Sequence, residues 1–201
     1  MNTAELQIER PAEAIESGRY PPGDLAVWFF IFAELLAFGV LFLGYAFARS
    51  AQVELFNAGQ ETLNTTAGTI NTIALISGSY FVVRALGALR GGSTVACTRW
   101  LAAAIAGGAV FVVVKLVEFG EKFGAGISLS TDTFYMFYLL LTGFHFMHVL
   151  LGMVVLGAVL LNARRGRYSA SEHAGVETAG AFWHMIDLVW IVLFPLVYLM
   201  R

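Results

Sequence analysis

Charge is scarce in this chain: Asp, Glu, Lys and Arg make up 13% of its 201 residues, against 58% hydrophobic, and the mean hydropathy is +0.74. Soluble domains are not built this way, and the composition implies an integral membrane protein. A basic surplus is missing too. With 12 basic and 14 acidic residues, a net charge of -2 and no run of one sign, the chain offers nothing for nucleic acid. Cysteine is limited to Cys97, in a basic connection, so no internal disulfide forms and folding needs no oxidising compartment. The N-terminal segment lacks the basic start of a signal peptide, since Glu5, Glu9, Glu13 and Glu16 outweigh Arg10 and Arg19. Residues 1–24 read as a cytoplasmic, solvated arm retained on the mature protein, ended by Pro21, Pro22 and Gly23. Internal repeats of 20 to 50 residues and low-complexity tracts are also lacking, so residues 25–201 read as one transmembrane bundle.

What is present is five apolar stretches: Leu25 to Ala48, Thr65 to Leu86, Trp100 to Val117, Phe134 to Leu161 and Ala179 to Leu199. Each is near the ~20 residues a membrane-spanning helix needs, and a helix satisfies its own backbone groups in lipid. The predicted fold is therefore all-α, a bundle of five transmembrane helices. Lys115 closes the short third run, where its stem can lift the ammonium to the interface. Glu118, Glu121 and Lys122 follow it and are expected near water. Trp28, Trp100 and Tyr198 suit the headgroup belt. Pro195 is expected to kink the last helix. Small residues, among them Ala33 and Ala37, Ala104 and Gly108, and Gly152 and Gly157, let helices approach closely.

Lys and Arg set the predicted orientation. The arm and the second and fourth connections hold Arg10, Arg19, Arg84, Arg90, Arg99, Arg164, Arg165 and Arg167; the opposite side has Arg49, Lys115, Lys122 and Arg201. The N-terminus is thus expected in the cytoplasm and the C-terminus in the periplasm.

Against this apolar background a few polar side chains stand out. His145 and His148 share one helix face, as do His184 and Asp187, each pair three residues apart. Glu34 lies about 14 Å into the first helix at 1.5 Å per residue, near the middle of a ~30 Å hydrocarbon core. Ionisable groups at such depth are costly and face protein rather than lipid. Three roles are open to them: metal ligands, a proton path, or interhelical hydrogen bonds that fix helix register. An interhelical contact among His148, His184 and Asp187 is one expectation. A small proton-coupled transporter would also carry such groups, though it commonly shows an internal repeat.

Several motifs carry a resemblance. They are Glu34 in AELLAF; Asn71 and Thr72 in NTIALISGS; Glu118 and Phe119 in KLVEFGEK; Thr142, Gly143, His145 and His148 in TGFHFMHV; and Trp183, His184, Asp187 and Trp190 in WHMIDLVW. In this order and spacing the chain, from about Pro22 to its end, resembles subunit III of haem-copper respiratory oxidases. The likeness is to the short five-helix form found in bacterial quinol and cytochrome c oxidases and in relatives associated with nitric oxide reductase. The resemblance implies a non-catalytic subunit of a terminal oxidase. Haem and copper would lie in partner subunits I and II and none on this chain. The chain would pack against subunit I in the bacterial inner membrane, supporting oxygen reduction, proton uptake and the stability of the catalytic subunit. It further implies a Glu34 carboxyl open to hydrophobic carbodiimides, and contact with membrane lipids, phospholipid among them. An accessory protein of a nitric oxide reductase is the alternative that the same motifs allow.

Overall fold

The computed structural model describes residues 25–200, so the arm assigned to residues 1–24 lies outside the described residues. Six α-helices follow one another: α1 Leu25–Ala51, α2 Val53–Glu61, α3 Thr65–Arg90, α4 Thr94–Gly124, α5 Thr133–Arg164 and α6 Ala174–Phe194, the last running into a π-helical turn, Pro195–Leu199. All but α2 are long and apolar enough to cross a membrane. The spans outrun the apolar stretches, most of all α4, because polar residues continue each helix beyond the hydrocarbon-like run. Helix starts are fixed by side-chain caps: Asn64 accepts from the Ala67 amide, Ser93 from Ala96 and Asp132 from Tyr135. Gly126 and Gly166, with φ of 77° and 72°, take the left-handed turn that ends α4 and α5.

The short helix α2 has too few residues and too mixed a composition to show in a hydropathy reading. It caps one end of the bundle, here called the α2 end. Phe56 packs edge-on against Tyr45 of α1 and Phe134 of α5. Arg49 donates to Gln60 Oε1 at 3.0 Å and to Asn57 at 3.1 Å, which turns the Gln60 amide nitrogen toward Tyr45 and the carbonyls of Leu196 and Val197. Those carbonyls belong to the final turn, where Pro195 has no N–H to give and the chain widens into a π turn closed by the Met200 amide on the Pro195 carbonyl. The expected effect of Pro195 thus takes the form of a widened turn tied to α2.

Around the core, α3 packs on α4 and α6, and α5 on α4 and α6. Trp183 of α6 sits at the crossing, buried, its indole against Gly78 of α3, Gly108 of α4 and Gly152 of α5. A methyl group at Gly108 or Gly152 would fall 2.9 Å from Trp183 or 2.6 Å from Ile186, so these two glycines make the close approach possible. Gly157 has open space around it and Ala33 faces outward, so neither serves the packing expected of it. Helix α1 is peripheral: its buried residues are Ile31, Phe38 and Tyr45, a single stripe seven residues apart laid on α5 and α6.

Candidate functional site

Polar side chains gather in two places. At mid-bundle, Glu34 of α1 meets His148 of α5, Oε2 to Nε2 at 3.1 Å. The other ring nitrogen, Nδ1, lies 2.8 Å from the Phe144 carbonyl, which can only accept, so Nδ1 carries hydrogen. The Nε2 contact then has two forms, a carboxylic acid donating to a neutral imidazole or an imidazolium donating to a carboxylate. Either way one proton is shared between Glu34 and His148. The pair is held by aromatic packing, His148 edge-on to Phe38 and Phe144.

One turn before His148, His145 is fully buried with neither ring nitrogen hydrogen-bonded. Its ring stacks on Trp190 at 5.1 Å and meets the edge of Phe111. Trp190 donates its indole N–H to Thr72 at 2.9 Å, and Thr72 in turn donates to the Gly68 carbonyl. Beside Thr72 in sequence, Asn71 is buried with both carboxamide atoms unpartnered. Thr142 is buried and bonds back to the Tyr138 carbonyl, 2.6 Å, within its own helix. Gly143 borders a shallow hollow beside Phe119, Phe123 and Leu139.

His184 and Asp187 do not join His148. His184 Nδ1 lies 3.1 Å from Ser79 Oγ, and Asp187 lies against the same hydroxyl and the imidazole. The expected contact among His148, His184 and Asp187 is therefore corrected: α1 supplies the partner of His148, and α3 that of His184. Helix rotation decides this, since His184 turns to the α3 side of α6 and is exposed, while His148 turns to α1.

The second place is the α2 end, and it overturns the expectation that Lys115 and Glu118 reach water. Lys115 is 0% exposed and Glu118 4%. Lys115 donates to Glu118 Oε2 at 3.1 Å and to the Tyr198 hydroxyl at 2.8 Å, while Tyr198 and Tyr138 each donate to Glu118 Oε1 at 2.7 Å. The ammonium also faces the rings of Phe119, Tyr138 and Tyr198, 4.7 to 5.5 Å from their centroids. Tyr198 is thus an interior ligand of this ion pair and not a headgroup-belt residue. A signal existed in the sequence: Lys115 and Glu118 stand i, i+3 on one face of a helix that continues to Gly124. Among the described residues, no three His, Cys, Asp or Glu side chains come together as metal ligands would.

Residues 23–201 match the family described as Cytochrome c oxidase subunit III, a match that takes in all six helices. The chain is 34% identical over 194 residues to cytochrome c oxidase subunit 3 of Synechocystis sp., covering 94% of this chain and 81% of that one. It is 33% identical over 177 residues to cytochrome c oxidase subunit 3 of Thermostichus vulcanus, covering 88% and 86%. A third relative, the heme-copper oxidase subunit I+III of Aeropyrum pernix, is 32% identical over 184 residues, which is 87% of this chain and 22% of that longer one.

Proposed function

Because the chain belongs to the cytochrome c oxidase subunit III family, we propose that it is a non-catalytic subunit of a haem-copper terminal oxidase, seated beside the haem-bearing catalytic subunit I. The single observation that carries this reading is the family match over residues 23–201. The name of the Aeropyrum pernix relative, subunit I+III, supports the choice of partner, since there the counterpart of this chain lies in a polypeptide named for both subunits. The names of the relatives favour oxygen over nitric oxide as the substrate of the complex, and cytochrome c over quinol as its donor.

In this role the chain supports oxygen reduction, proton uptake and the stability of subunit I, with haem and copper held by subunits I and II. Glu34 and His148 hold an exchangeable proton at mid-membrane, the type of group used in intramembrane relays. The Lys115–Glu118 network closes the α2 end of the bundle. Phospholipid covers the apolar outer faces, and the membrane is the inner membrane of a bacterium, with the N-terminus in the cytoplasm. Affinity purification of the tagged chain from its native membrane in mild detergent tests the reading. Copurification of a haem-bearing subunit with oxygen-reducing activity is expected; a colourless preparation without any oxidase subunit contradicts it.

A further inference from the structure

Helices α1 and α3 stand on either side of α6 and leave an apolar groove of about 430 Å³ over its outer face. Phe32 of α1, Val83 of α3 and Leu188 of α6, all exposed, form its lips, and the small residues Gly180 and Ala181 keep its floor low. Arg90 and Glu177 pair with each other at one end of the groove, and a further polar side chain deeper in it, His184, does not fit an apolar occupant. His184 lines it about 15 Å from the start of α6, at 1.5 Å per residue, level with Ser79 near the middle of α3. Its Nδ1 is on Ser79, its Nε2 has no hydrogen-bond partner among the described residues, and Oδ1 of the neighbouring buried Asp187 has none either. At this depth an acyl chain has no donor or acceptor to give, and polar groups left facing hydrocarbon are costly.

We infer that this groove is the docking surface for a transmembrane helix of a neighbouring oxidase subunit, which lays a hydrogen-bonding side chain against His184 Nε2. The inference rests on the subunit III reading and deepens it by assigning the face of contact. The occupant is a helix, because the groove runs lengthwise along α6 from Glu177 at one end to Leu188 and accepts a ridge of side chains. It carries Asn, Gln, Ser, Thr, Tyr or a protonatable group at the level of Ser79, since only such a side chain satisfies the imidazole.

Photo-cross-linking in the assembled complex tests this, with a benzophenone amino acid placed at Val83 or at Leu188. Adducts joining this chain to another subunit are expected from both positions. In an intact complex, adducts only with lipid, only with residues 1–24 of the same chain, or with nothing overturn the inference. His184→Leu removes the proposed bond together with the one to Ser79, so thermal unfolding of the isolated variant is measured beside its assembly. The substitution is expected to lower the copurified partner by roughly three- to tenfold, the loss of about one interhelical hydrogen bond, with His184→Asn recovering most of it. Equal copurification by all three forms overturns the inference while leaving the oxidase reading intact. Absence of any oxidase subunit from the wild-type preparation defeats the oxidase reading itself.

Discussion

The two polar regions differ in how completely their groups are satisfied. At the α2 end the Lys115 ammonium, both Glu118 oxygens and the Tyr138 and Tyr198 hydroxyls all have partners. At mid-bundle, His145, Asn71, Trp183 and Asp187 each keep at least one buried polar atom without a hydrogen bond. Native proteins pair nearly all such atoms, so these call for partners that the side chains of this chain do not supply. The closed network is a lock that fixes α4, α5 and the final turn to one another. The open region, with its Glu34–His148 hydrogen bond and its exposed His184, is where the proposed proton handling and subunit contact would sit.

That contrast can be broken most sharply at Lys115. Lys115→Met leaves the Glu118 carboxylate buried without its cation and is expected to cost about 3–5 kcal/mol. The combined change Lys115→Met with Glu118→Leu is expected to recover most of it, because burying an ion pair is itself costly. Thermal unfolding of the detergent-solubilised protein reads both, and a single variant as stable as wild type would remove the lock. Next in size is Glu34→Leu, which strands His148 Nε2 and costs about 1–3 kcal/mol. Glu34→Gln keeps a donor there and costs less. In the same region a hydrophobic carbodiimide should label Glu34, whose side chain is 19% exposed, in preference to the sealed Glu118; the reverse order in a peptide map would upset the comparison. Asp187→Ala is the smallest expected change, under about 1 kcal/mol, because His184 retains Ser79. A larger loss in the same unfolding assay would show that Asp187 carries more of the α3–α6 contact than its unpartnered Oδ1 suggests.

Apolar length made the five spans legible, and the paired-residue motifs made most of the mid-bundle groups legible. Partners were not, because a sequence leaves helix order and rotation open: nothing in TGFHFMHV tells that His148 turns to α1 and His145 to Trp190. The burial of Lys115 and Glu118 is hidden for a different reason. The apolar run ends at Val117, whereas α4 continues through polar residues to Gly124 and Tyr138 and Tyr198 converge on the pair. Helix α2 left no hydropathy signal, since its stability comes from Phe56 and Gln60 meeting residues far along the chain.

The measurement that bears most directly on the division between a locked end and a working middle is turnover of the assembled oxidase carrying Glu34→Gln. The amide still donates to His148 Nε2 but cannot pass a proton on. Initial oxygen reduction should therefore stay near the wild-type rate if, as proposed, the chemistry lies in another subunit, while proton pumping falls or the enzyme inactivates faster as it turns over. Loss of initial activity in a fully assembled complex would contradict the assignment of catalysis elsewhere, and unchanged pumping and lifetime would reduce Glu34 to a structural hydrogen-bond donor.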